Sequence, residues 1–326
     1  MIEVKHLTKT YGRHTAVSDL SFTVEKGQIY GFLGPNGAGK TTTMSIMTGC
    51  LAATSGEVKI DGHDIFEEAR EAKKLIGYLP EQPPLYLDRT PREYLAFVGR
   101  AKGVPAAELN GQIQSILRTA QIEDVKDRLI RNLSKGYRQR VGIAQALMGN
   151  PEVIILDEPT VGLDPRQIIE IRELIAELGK DHTVILSSHI LSEVQAICHT
   201  ILIISAGKLV ACDTPENLER LFAGSASVIL TADAARDEAL AIVQQVSAGA
   251  AVEILSASGG QTTVRIEAVA PVPLCRSLFF AFAQEKKAVT QLTTAKASLE
   301  DIFIELTAAE HAEAPAKEPE KEEATA

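Results

Sequence analysis

The chain has 326 residues, of which 45% are hydrophobic and 23% charged, a balance that excludes disorder over the whole length and suggests about two domains. Its formal net charge of -10, from 43 acidic and 33 basic residues, argues against a general nucleic-acid binder, which needs a basic face. Aromatic residues are 5% and Trp is absent, so the core must rest on Leu, Ile, Val and Ala.

In chain order, residues 2–7 and 17–25 read as two early strands, suited to antiparallel pairing. Gln28-Ile29-Tyr30-Gly31-Phe32-Leu33 is a short apolar strand, followed directly by a Gly-rich turn and a helix. Further strands are predicted at 75–79, 153–156, 183–187 and 200–205; their alternation with helical patterns implies a largely parallel sheet. Ala206-Gly207 joins 200–205 to 208–212 as a hairpin. Residues 90–150 differ, with helical periodicity and little strand signal. Thr90-Pro91-Arg92-Glu93 opens that stretch with Thr as cap, Pro in the first turn and Glu at the third position, so a helical subdomain over about 85–150 is expected.

From about 225 the pattern resets: strand 226–232, helix 234–246, strands 251–256 and 262–267 joined by Ser258-Gly259-Gly260, helix 272–284, strand 288–294 and helix 298–307. The order β-α-β-β-α-β suggests a small ferredoxin-like unit over 223–307, after a first domain over 1–222. The last helix would put Leu299, Ile302, Phe303 and Leu306 on one face. Residues 308–326, rich in Ala, Glu, Lys and Pro, read as a disordered acidic tail.

No stretch approaches the ~20 apolar residues that span a bilayer, so any membrane role must come through a partner chain. The start, Met1 to His6, lacks the apolar core of a signal peptide. Cys50, Cys198, Cys212 and Cys275 form no metal-binding spacing and read as cytosolic thiols.

Gly34-Pro35-Asn36-Gly37-Ala38-Gly39-Lys40-Thr41 fits the phosphate-loop pattern G-x-x-x-x-G-K-[ST] at every fixed position. The glycines let backbone N–H groups ring an anion, and the helix start, Thr41-Thr42-Thr43, adds its partial positive charge. In this motif the Lys40 ammonium serves the β- and γ-phosphates of a nucleotide, and the Thr41 hydroxyl ligates Mg²⁺. Val153-Ile154-Ile155-Leu156-Asp157-Glu158 is a buried strand ending in two acids, at the sheet edge where ligands bind. Asp157 is expected to hold Mg²⁺, and Glu158 to orient or deprotonate the attacking water.

With these two motifs, Leu133-Ser134-Lys135-Gly136-Tyr137 resembles the Leu-Ser-Gly-Gly-Gln signature of ATP-binding cassette (ABC) ATPases at Leu133, Ser134 and Gly136. It departs from it at Lys135 and Tyr137, a form similar to a subgroup of exporter cassettes. The resemblance implies a P-loop cassette with a mixed sheet and an inserted helical subdomain, and it covers about residues 2–220. It implies that Tyr11 stacks on adenine, that Gln82 touches Mg²⁺ and the water, that Asp164 of Val161-Gly162-Leu163-Asp164 sits on a loop crossing a dimer seam, and that His189 is the switch histidine. Two cassettes would pack head to tail, with ATP between the Gly34–Thr41 loop of one and Ser134–Gly136 of the other. Ser298 to Leu306 resembles the C-terminal extension of cassettes serving ABC-2 exporters, including gliding-motility cassettes.

The function implied is the ATP-hydrolysing energy subunit of an exporter, peripheral on the inner face of the cell membrane through an integral permease. The alternative is a soluble ABC ATPase acting on nucleic acid or ribosomes. Against it stand the single cassette, the absence of a basic run, and the spacing of about 115 residues between the loop and Asp157, too short for a coiled-coil insertion. Leu85, Tyr86 and Leu87 form an apolar cluster after Pro83-Pro84; either they pack on Tyr94 or Phe97, or they line a groove for the permease.

Overall fold

The computed structural model describes residues 1–222, 227–247, 249–268 and 271–295. The predicted helix 298–307 and the acidic tail 308–326 lie outside these described residues. Contacts divide the chain after Pro215, seven residues before the division drawn from the sequence, so the helix that begins at Pro215 falls to the second unit. Each unit is described by itself.

In the first unit, β1 (Ile2–Tyr11) and β2 (His14–Val24) form an antiparallel pair, with Ile2 opposite Val24. β3 (Ile29–Leu33) is buried at all five positions and leads through the Gly-rich loop into α1 (Lys40–Met47). β4 (Ser55–Ile60) and the two-residue β5 (His63–Asp64) were not foreseen; they extend the β1–β2 pair into a four-stranded sheet ordered β2-β1-β4-β5. After α2 (Ala69–Lys74) and β6 (Ile76–Leu79) come the helices of the predicted helical region: α3 (Pro91–Ala101), α4 (Ala106–Thr119) and α5 (Lys135–Leu147). Thr90 caps α3 reciprocally: its Oγ1 accepts from the Glu93 amide, and Glu93 accepts from the Thr90 amide.

β7 (Val153–Leu156), α6 (Pro165–Leu178), β8 (Thr183–Ser188), α7 (Leu191–Ile197), β9 (Thr200–Ser205) and β10 (Lys208–Asp213) complete the unit. The second sheet runs β10-β9-β3-β8-β7-β6. β6, β7, β8, β3 and β9 are parallel, and only β10 is antiparallel, joined to β9 by Ala206 and Gly207, both at positive φ as a tight hairpin requires. β7 and β8 are buried throughout, as strands covered on both faces must be; β7 is accordingly an unbroken apolar run, and β8 has the apolar centre Val184, Ile185 and Leu186 flanked by buried Thr183, Ser187 and Ser188. One core cluster unites both sheets and α1: Ile2, Val4, Leu20, Phe32, Met44, Met47, Val58, Ile155, Ile185 and Leu202 all belong to it.

In the second unit, α8 (Pro215–Phe222) precedes β11 (Ser227–Ala232), α9 (Arg236–Val246), β12 (Val252–Ser258), β13 (Gln261–Glu267), α10 (Pro271–Gln284) and β14 (Val289–Ala295). The sheet order is β12-β13-β11-β14, and every pair is antiparallel. Val228, Leu230, Ile242, Val243, Val264, Ile266, Leu278 and Phe282 form its own core. Among the described residues no helix is long and apolar enough to cross a membrane.

Candidate functional site

β3 delivers the chain to the sheet edge, and the loop turns there because Gly39 caps α1 at φ 102. A Cβ at Gly39 would lie 2.5 Å from the Ala16 carbonyl oxygen, so both the angle and the space demand glycine. The Lys40 side chain is almost wholly buried. Its Nζ donates to the carbonyls of Gly34 (2.8 Å) and Pro35 (3.3 Å) and stands 3.5 Å from Glu158 Oε1. The ammonium is therefore held over the cavity of its own loop.

The acids at the end of β7 come to meet the loop. Asp157 is fully buried. Its Oδ1 accepts from Ser187 Oγ (2.6 Å), at the end of β8, and from Thr41 Oγ1 (3.3 Å), at the start of α1. Burial pushes its carboxyl above the usual range, the Ser187 and Thr41 hydroxyls oppose this, and the neighbouring Glu158 and Glu81 charges add to it. Asp157 Oδ2 is buried without a hydrogen-bond partner. A buried carboxylate oxygen left open beside a threonine hydroxyl suits Mg²⁺, which takes one or two carboxylates and fills its other positions with phosphate oxygens and water. Thr41 and Asp157 thus fit that ion.

Glu158 turns out of the strand in the left-handed region, at φ 47, which costs a non-glycine residue about 1–2 kcal/mol. Its amide donates to Ser187 Oγ at 2.8 Å, so one buried serine holds both acids of the pair. The Glu158 carboxylate lies between two cations or donors: Lys40 on one oxygen and His189 Nδ1 on the other, at 2.9 Å.

Lys40, Thr41, Glu158 and His189 face a cleft of about 460 Å³, lined also by Tyr11, Asn36, Gly37, Ala38, Gly39 and Thr42, all expected from the sequence, with His14, Ala16, Glu81 and Val161 in addition; Asp157 lies buried behind Thr41 and does not line it. Tyr11 is 48% exposed, with Lys9 Nζ 5.1 Å from its ring centre, and its ring lines the cleft. Gly34 and Pro35 contribute their carbonyls to Lys40 below the cleft. Gln82 is exposed and does not line the cleft; Glu81 takes the place beside it.

Ser134 and Gly136 are elsewhere. Ser134 caps α5, accepting from the Tyr137 amide at 3.3 Å, and lines with Gly136 a separate cleft of about 280 Å³ that includes Arg140 and Gln167. Asp164 caps α6, accepting from the Gln167 amide at 2.9 Å, and does not line the first cleft. Lys135, where the signature departs from the family pattern, places its ammonium against Gly162, where an added Cβ would have to displace it and where φ 68 favours glycine. One chain therefore carries the phosphate loop, the acids and the histidine in one place, and the signature serine and glycine in another.

A family model described as "ABC transporter" matches residues 17–161, which span the phosphate loop, the signature and the acid pair. The chain is 41% identical over 211 residues to the bacitracin transport ATP-binding protein BcrA of Bacillus licheniformis, covering 64% of this chain and 68% of that one. It is 37% identical over 222 residues to the Nod factor export ATP-binding protein I of Paraburkholderia xenovorans, covering 67% and 72%. Among solved structures it resembles an ATP-binding cassette determined as a dimer in a post-hydrolysis state bound to ADP and Pi, at 27% identity and a TM-score of 0.60, covering 66% of this chain and 98% of that one. On this identity across more than two thirds of its relatives' length, and on the motifs that meet in the cleft, the chain belongs to the ATP-binding proteins of the ABC transporter family, whose cassettes bind ATP and hydrolyse it to power transport.

Proposed function

We propose that this chain is the energy subunit of an ABC-2-type exporter, and that it hydrolyses MgATP between its own phosphate loop and the Ser134–Gly136 segment of a second cassette. The observation that carries the reading is the division of the site. A phosphate held by the Gly34–Thr41 loop has its outer face open, and the first turn of α5, capped by Ser134, has N–H groups suited to covering it. The transport and export names of the two relatives support the exporter class.

In this reading Lys40 gives up the Gly34 and Pro35 carbonyls for β- and γ-phosphate oxygens. Thr41 and Asp157 hold Mg²⁺, which supplies charge neutralisation to the phosphates when bound. Glu158 orients the attacking water and accepts its proton. His189 fixes the Glu158 carboxylate from the side opposite Lys40, and Tyr11 offers its ring to adenine. The loop after β6, which carries Gln82 and brings Glu81 to the cleft, would relay the nucleotide state to the permease.

The exposed face beside that loop is the surface we assign to the permease. Tyr86 packs on Tyr94 and Phe97, with ring centres 5.6 and 5.2 Å away, yet Tyr86, Leu87 and Phe97 each remain about half exposed. The ring packing therefore leaves about half of each side chain open, which supports a docking role for this face. A short amphipathic helix from a membrane subunit would cover this patch and lie within a few residues of Gln82.

The test is gentle detergent extraction with this chain tagged. An integral membrane protein should co-purify, and Tyr86→Ala and Leu87→Ala should lose it while the melting temperature stays within a few degrees. Recovery of ribosomes or nucleic acid instead would establish the soluble alternative.

A further inference from the structure

Glu193 sits in α7, outside the cleft and outside every motif, and is 95% removed from solvent. Its Oε2 accepts two hydroxyl hydrogen bonds, from Thr160 Oγ1 at 2.6 Å and from Ser188 Oγ at 3.0 Å. Both donors are buried. Thr160 is two residues beyond Glu158, and Ser188 is one residue before His189. One carboxylate oxygen therefore joins the segment leaving β7 to the end of β8. Ser188 Oγ in turn accepts the Ile190 amide at 3.0 Å, which fixes the chain on the far side of His189.

We propose that Glu193 is a positioning residue for ATP hydrolysis. It latches the Thr160 and Ser188 segments together and so sets the 2.9 Å contact between Glu158 and His189. Three features of the structure require such a latch. Glu158 occupies a strained left-handed backbone, which persists only where its surroundings over-determine it. Glu158 and the histidine that fixes it stand just beyond the ends of β7 and β8, so their separation depends on what ties those strand ends together. β7 and β8 pair with each other up to Leu156 and Leu186; β8 stays paired to β3 through Ser188, but beyond Leu156 no β7–β8 ladder ties the chain carrying Glu158 to the end of β8. Ser187 ties the two ends on the Asp157 side, and Glu193 ties them on the other side, beyond Glu158.

The inference rests on the reading of Glu158 as the catalytic base, so the experiment includes Glu158→Gln as a reference. Full-length Glu193→Leu, Thr160→Val, their double variant and Glu193→Gln are compared for ATPase kcat, KM for ATP and melting temperature. Each of Glu193→Leu and Thr160→Val should lower kcat about 10- to 100-fold, the usual cost of losing a group that orients a reacting residue. KM should stay within about twofold, and the double variant should be no slower than the worse single, because the two changes break one link. Glu193→Gln keeps an acceptor oxygen and should restore most of the turnover. A merely structural role would lower the melting temperature and leave kcat per folded molecule unchanged, which would overturn the proposal. Multiplied losses in the double variant would also overturn it. If Glu193→Leu does not fold, Thr160→Val decides: it replaces a hydroxyl by a methyl, and normal turnover there refutes the latch. Normal turnover in Glu158→Gln would instead refute the catalytic reading itself, whereas an inactive Glu158→Gln beside a fully active Thr160→Val refutes the latch alone.

Discussion

Ser187→Ala isolates what one hydroxyl does for the acid pair. The residue is fully buried, and the substitution removes a single oxygen, so apolar burial hardly changes. Two hydrogen bonds vanish: the donation to Asp157 Oδ1 at 2.6 Å and the acceptance from the Glu158 amide at 2.8 Å. The first is a bond to a carboxylate, contributing about 1.5–3 kcal/mol; the second leaves a buried N–H unpaired, costing about 1–3 kcal/mol. Because the two share one atom and the site can relax, we expect a total loss of about 2–4 kcal/mol. The sign of its pH dependence follows from Asp157. Its carboxyl is already pushed up by burial, and the Ser187 bond is one of two that hold it down. Without that bond the folded-state value rises further above the unfolded one. A carboxyl raised by folding binds more protons in the folded state, so its penalty grows as pH rises through that window and shrinks as pH falls. The gap between wild type and variant should therefore narrow on acidification. Tyrosine fluorescence in a urea titration reads this selectively, because Trp is absent and all six tyrosines, from Tyr11 to Tyr137, lie in the first unit. A loss under about 0.5 kcal/mol at neutral pH, or a gap that widens in acid, would refute the assignment.

Lys40→Ala should weaken ATP binding at least about 10-fold, since it removes the one ammonium poised inside the phosphate loop; equal affinities by equilibrium binding would contradict this. Glu158→Gln should bind ATP yet turn it over at least ~100-fold more slowly, and should accumulate as an ATP-bound dimer on size exclusion. Burial pushes the Lys102 ammonium down to about 8 from the ordinary 10.5, although it donates to the Ile76, Ala146 and Met148 carbonyls. Between those values the unfolded chain holds the proton that the folded chain releases, so Lys102 makes stability rise with pH across that window. Lys102→Met should remove that rise, measured by circular dichroism in urea at about pH 8 and about pH 10, and an unchanged pH slope would exclude Lys102 as its source.

The parallel strands of the second sheet were legible because burial on both faces favours apolar residues in succession, which the sequence displays at Val153–Leu156 and, in β8, at Val184, Ile185 and Leu186. β4 was missed for the opposite reason. Its only buried side chains are Val58 and Ile60, two residues apart behind Ser55-Gly56-Glu57, too short an alternation to separate from a loop. The antiparallel pairing that makes it a strand is supplied by β1, through contacts such as Ile2 with Ile60, which no local pattern encodes. The loop after β6 shows a finer limit. The sequence named Gln82 by analogy, but which of two consecutive residues turns toward the cleft depends on the path of the turn, and in the structure Glu81 lines it.

The residues that hold the acids were the least legible of all. Ser187, Ser188, Thr160 and Glu193 are small polar or charged groups of the kind found on any surface, and nothing in their spacing marks them as buried. Their burial follows from topology: β7 and β8 lie side by side, and α7 then turns back so that Glu193 meets both strand ends. A motif records the groups that would touch the nucleotide, because their chemistry fixes residue type at fixed offsets. The supporting hydroxyls answer to a different constraint. Each must find a partner because an unpaired polar atom inside this edge would cost more than its bond contributes, and any donor of the right reach could serve. Chemistry thus writes itself into sequence as identity, whereas support is written as three-dimensional proximity. That difference is why the phosphate loop could be read from eight letters, while the proposed latch behind Glu158 became visible only when the Thr160 and Ser188 hydroxyls were brought within 3.0 Å of one Glu193 oxygen.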